Sequence, residues 1–154
     1  MSLKIYAGIG ARETPPDILL LMQQLAEKLY SDGYSLRSGG AKGADTAFYN
    51  GSHDKHEIFL ANQATKESKY LASEFHNNWT NLTDYAQNLH GRNALIILGK
   101  DLKTPVDFVV CYTKNGLDIG GTGLAMRIAQ SNGIKIINLF YPEWQERIKT
   151  YITK

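Results

Sequence analysis

Three glycine-rich stretches carry the residues of this chain best suited to chemistry. The richest is Ser38-Gly39-Gly40-Ala41-Lys42-Gly43-Ala44-Asp45, with glycine at three of the five positions 39–43, just ahead of a helix start. Such a loop lets several amide N–H groups converge on one anion, and the helix dipole adds to the attraction. Ser38 contributes a hydroxyl, Lys42 a cation, and Asp45 a carboxylate able to cap the helix or act as an acid. The Walker pattern Gly-x-x-x-x-Gly-Lys-Ser/Thr is absent, so this is no P-loop.

The first stretch, Gly8-Ile9-Gly10-Ala11-Arg12-Glu13, holds only two glycines of the dinucleotide fingerprint and puts Glu13 where the third belongs. Arg37-Ser38 stands where an NAD enzyme wants an acid for the ribose hydroxyls, which argues against NAD and leaves room for a phosphorylated ribose. Arg12 is either a cation beside a helix N-terminus or a solvated loop residue. The last stretch, Gly120-Gly121-Thr122-Gly123, precedes a helix over 124–131 and again permits close backbone approach to a ligand. Arg92-Asn93 supplies a fork-shaped cation and an amide. Two glycine-rich helix starts on one sheet edge make a cleft.

Other candidates read as structural. His53-Asp54-Lys55-His56-Glu57 imitates a metal cluster but has no third ligand in place, so no metal is assigned. Trp79, after His76-Asn77-Asn78, reads as packing for a long connection rather than a base platform. Cys111 lies inside an apolar strand pattern, as an inert core thiol does. No Ser-His-Asp order, Gly-x-Ser-x-Gly elbow or deaminase signature occurs. No cofactor is implied.

These loops need a scaffold, and the hydrophobic pattern provides one. Apolar, β-prone runs over 3–9, 34–37, 56–61, 107–112 and 134–139 predict five strands. Helical spacing predicts helices over 15–32, 44–49, 82–98, 124–131 and 141–153, although 93–98 alone also reads as a strand. Thr14 is the expected N-cap of the first helix, with prolines in its first turn and Asp17 three residues on. Strands alternating with helices predict an α/β fold, a Rossmann-like three-layer sandwich with a mainly parallel central sheet. Ligands in such sheets bind beyond the carboxyl ends of the strands, near the switch in strand order. The loops after strands one, two and four are therefore the informative ones.

The bulk properties fit a single globular domain of 154 residues, 43% hydrophobic and 21% charged. A formal charge of +2 is too mild to mark a nucleic-acid binder by bulk field, so any anion site must be local. One cysteine rules out a disulfide framework. No apolar run is long enough to span a bilayer and the N-terminus lacks the apolar stretch of a signal peptide, which together predict a cytoplasmic protein with no membrane contact.

The same loops carry a family resemblance over residues 4–139. Residues 38–45 resemble the Ser-Gly-x-Ala-Arg-Gly-x-Asp motif of the DNA-processing protein DprA (Smf), with Lys42 in the arginine position. Gly8-Ile9-Gly10-Ala11-Arg12 resembles that family's glycine-serine-arginine turn with Ala11 for serine, and Arg92-Asn93-Ala94 its Arg-Asn-Arg motif with the second arginine lost. Residues 107–112 followed by Gly120-Gly121-Thr122 resemble its strand and final phosphate-side loop. The resemblance is to the superfamily joining DprA with the LOG phosphoribohydrolases (SLOG), and within it to compact single-domain proteins of phages and mobile elements. It implies a Rossmann-like fold, an electropositive pocket for a nucleotide or single-stranded DNA, a role in handing strands to a recombinase, and a homo-oligomer, a dimer in DprA itself. The LOG branch implies instead cleavage of nucleoside monophosphates, but its motif glutamate is missing after Gly120-Gly121-Thr122-Gly123, leaving Glu13, Asp45 and Asp118 as acids. A third expectation from the superfamily is a sensor or sponge for a small nucleotide signal.

Overall fold

The computed structural model describes residues 3–154; residues 1–2, part of the N-terminus read above for a leader, lie outside that range. Five strands form one sheet: β1 (Ile5–Gly8), β2 (Ser35–Gly39), β3 (His56–Phe59), β4 (Phe108–Cys111) and β5 (Lys135–Asn138). Their order is β3-β2-β1-β4-β5 and every pairing is parallel. Six helices connect and flank them: α1 (Pro16–Ser31), α2 (Ala44–Ser52), α3 (Lys66–Ser73), α4 (Asp84–Leu98), α5 (Gly120–Ser131) and α6 (Pro142–Ile152). This is an α/β fold, a Rossmann-like three-layer sandwich. Among the described residues no helix is long and apolar enough to cross a membrane.

Strand alternation divides the core. Ala7, Val109 and Cys111 face α4 and α5 with Leu95–Leu98 and Leu124, whereas Tyr6, Leu36 and Val110 face α1, α2 and α6 with Met22, Leu25 and Phe48. The period of two along each parallel strand requires this two-sided burial. Burial on one of these faces pushes the Cys111 thiol up to about 12, in keeping with an inert core group.

Two details, at Thr14 and at α3, correct the sequence reading, and a third, at residues 93–98, agrees with the helix expected there. Thr14 does not cap α1: Pro15 holds the N-cap position, and the Thr14 hydroxyl donates to the Ala11 carbonyl at 2.5 Å, closing the tight turn out of β1. Residues 93–98 are the end of α4 rather than a strand; Leu95, Ile96, Ile97 and Leu98 are all buried because that end of the helix is enclosed by protein. Helix α3 has no counterpart among the expected elements: it is eight residues long, polar on average, and buries only Ser68 and Ala72. Its start is nonetheless written in the sequence. The Thr65 hydroxyl accepts the Ser68 N–H at 3.0 Å and the Ser68 hydroxyl accepts the Thr65 N–H at 2.9 Å.

Candidate functional site

Strand order reverses between β1 and β4, because the chain moves outward from β1 through β2 to β3 and then crosses to the other side. Beyond the carboxyl ends of the strands lies a cavity of about 800 Å³, within the size range of small-molecule sites. Residues 10–12 after β1, residues 40–42 after β2, and Gly121 and Thr122 of α5 all line it. The three glycine stretches therefore converge, with Asp45, Arg92 and Asn93 between them.

Close packing dictates the glycines. A Cβ on Gly8 would sit 2.5 Å from the Phe48 ring, and one on Gly10 would sit 2.6 Å from the Ala44 Cβ, so the first turn lies directly on the start of α2. A Cβ on Gly39 would collide with the Arg92 guanidinium and lie 2.7 Å from Asp45 Oδ2. Gly39 thus leaves free the space that both of those cavity-lining side chains border. Gly43 has φ of +87° at the N-cap of α2, a left-handed backbone that favours glycine.

Arg92 is buried and held from two sides: Nη1 donates to the Phe59 carbonyl at 3.0 Å and Nε to Asn93 Oδ1 at 3.2 Å. Its Nη2 donates to nothing among the described residues. Asn93 in turn donates from Nδ2 to the Gly121 carbonyl at 3.1 Å, tying α4 to the first turn of α5. Asp45 is buried, and burial raises its carboxyl to about 6 even though the Ala41 amide and the nearby Arg92 charge favour the charged form. The Ala41 N–H reaches Asp45 Oδ2 at 3.2 Å. Arg12 and Lys42, both exposed, have no ion pair or side-chain hydrogen bond among the described residues. Among the described residues no side chain caps α2 or α5, in contrast to α3 and α4, which Thr65 and Thr83 cap. Uncapped first turns at a cavity leave amide N–H groups available to a ligand.

The structure places other expected residues elsewhere. Arg37 does not line the cavity: its Nη1 donates to the Thr104 carbonyl at 2.6 Å and its Nε lies 3.6 Å from Glu57, so its charge is used within the protein. Ser38 donates to the Gly8 carbonyl at 2.6 Å and joins β2 to β1 instead of facing a ligand. Glu13 occupies the turn closed by Thr14 and is exposed outside the cavity, and Asp118 pairs with Arg127 at 3.8 Å. Of the three acids only Asp45 lines the site. The last glycine stretch is not a loop before the helix but the first turn of α5 itself; Gly120 has φ of +71°, and Gly123 packs on the Asp118 backbone, which leaves Gly121 and Thr122 at the cavity. Asp45 occupies the first turn of α2 rather than its cap. Trp79 shares a ring cluster with His76 and His90, centroids 5.3 to 6.3 Å apart, away from the cavity.

Leu60, Ala61, Tyr85 and Leu89 also line the site and were not singled out from sequence. A signal existed for the helical pair. Tyr85, Leu89 and Arg92 are spaced by four and three residues, which puts them on one face of α4.

No protein-family model, no curated protein and no protein of known structure matches this chain. The fold and the site define a Rossmann-like α/β protein with a cavity at its topological switch point.

Proposed function

We propose that the protein binds the phosphate of a nucleotide, free or within single-stranded DNA, in the cavity between its glycine stretches. One observation carries this reading: two exposed cations that have no ion-pair partner among the described residues, Arg12 and Lys42, share a cavity with Arg92, whose Nη2 is likewise unengaged among them, and with the starts of α2 and α5, which no described side chain caps. A phosphate there gains charge-assisted hydrogen bonds from all of them. With the DprA resemblance, the reading extends to a single-strand-binding module in recombination, acting in the cytoplasm, with a second copy and a recombinase as partners.

Thermal unfolding in the presence of inorganic phosphate, nucleoside monophosphates or a short single-stranded oligonucleotide tests the reading. A ligand at a hundred times its Kd stabilises by about 2.7 kcal/mol, and Lys42→Ala should weaken binding by about tenfold, the loss of one charge-assisted hydrogen bond. No stabilisation by any phosphate compound would end it.

Asp45 favours a second reading, a nucleoside-monophosphate N-glycosidase. A buried carboxyl titrating near 6 can hold a proton close to neutral pH and pass it to the departing base nitrogen. Water would add its hydroxyl to C1′ as the C1′–N bond breaks, and its remaining proton would return to the Asp45 carboxylate, giving free base and ribose 5-phosphate. Release of free base, abolished by Asp45→Asn while binding persists, is the expected result; intact nucleotide after prolonged incubation excludes this activity.

A further inference from the structure

We infer that the cavity is built for a single mononucleotide whose base lies on an apolar wall formed by Leu60, Tyr85 and Leu89; this rests on the phosphate reading above. Leu60 and Tyr85 are 49% and 63% exposed, yet both line the cavity. Large apolar side chains kept in solvent at a cavity wall are suited to a planar ring, which can stack on the tyrosine and cover the leucines.

Their placement fixes how far the ring is from the anion. Along α4, Tyr85, Leu89 and Arg92 follow one another on one face, so the aromatic ring leads by less than two turns to the guanidinium. On the other side, a Cβ on Gly40 would lie 2.7 Å from Leu60 Cδ2, so the glycine loop and the wall are in direct contact. A ligand touching both must carry its anion and its ring only a few bonds apart. Phosphate, pentose and base in one nucleotide meet that requirement. Inorganic phosphate or a sugar phosphate leaves the wall bare, and a long strand wants cations spread along a track, whereas Arg12, Lys42 and Arg92 are gathered in one cavity.

Calorimetric titration of the full chain with adenosine monophosphate, ribose 5-phosphate and a ten-nucleotide single strand tests the proposal. Adenosine monophosphate should bind about tenfold more tightly than ribose 5-phosphate, the contribution of one base–aromatic stack. Tyr85→Ala should erase that difference while leaving ribose 5-phosphate unchanged, and Tyr85→Phe should restore it; Leu60→Ala should reduce it. The exposure of Tyr85 keeps these variants folded, which their unfolding curves will check. Equal affinity for the two small ligands, an equal loss for both in Tyr85→Ala, or binding of the strand but not of the mononucleotide would overturn the wall as a base site while leaving phosphate binding intact. Failure of every phosphate compound to bind would remove both.

Discussion

At the scale of single residues the site turns on Asp45. Burial raises its carboxyl from 3.8 as a free side chain to about 6 in the folded chain. The folded state therefore holds the proton more tightly than the unfolded one. Stability from this group is full below pH 4 and is lost as pH rises through 6, by about 3 kcal/mol at 1.36 kcal/mol per unit. Asp45→Asn keeps the shape and removes the titration, so urea unfolding from pH 4 to pH 7 should show the variant gaining about that much relative to the parent. Parallel stability curves would mean that Asp45 is not desolvated. The residue types at this position were legible in the sequence, but the environment was not. Nothing in Gly39 or Arg92 as letters says that the missing side chain of one makes room for the other.

At the scale of elements, α5 separates packing from ligand approach within one turn. Gly123 lies against the Asp118 backbone and has no room for a methyl, so Gly123→Ala should destabilise by about 1–3 kcal/mol, as overpacking does. At Gly121 an added Cβ would meet only Asn93 Nδ2, at 3.5 Å. Gly121→Ala should leave the unfolding midpoint in place and weaken nucleotide binding, because the methyl projects where a phosphate would approach. Unchanged affinity in that variant would place the ligand away from α5. Five strands and five of the six helices were readable from period and punctuation, since both depend on neighbours a few residues apart. Helix α3 escaped because eight residues, polar on average, make a run too short for its apolar face to stand out, although its Thr65–Ser68 capping pair marks its start. The apolar end of α4 was ambiguous for the opposite reason: a helix buried on all sides loses its polar face.

At the scale of the whole molecule, net charge and charge placement lead to different expectations. A formal charge of +2 gives weak long-range attraction, so the proposed binding would depend on Arg12, Lys42 and Arg92 in one cavity. Anisotropy titrations of a single-stranded oligonucleotide should accordingly show a shallow salt dependence, with a log–log slope of about −0.7 for each phosphate engaged and one or two phosphates in all. Lys42→Ala should flatten it by about one such step. A slope several times steeper would point to a basic track outside the cavity. The sequence by itself determined the α/β alternation, the parallel sheet and the glycine stretches that lie at its edge, because strand and helix periods, turn residues and right-handed crossovers are local or nearly local rules. Only the tertiary structure decided that Arg37 and Ser38 serve the protein's own backbone while Asp45 and Arg92 line the cavity, and that Leu60 and Tyr85 complete its wall. Those outcomes depend on which side chains from distant segments compete for the same volume and the same carbonyl groups, and that competition is settled only when the layers close.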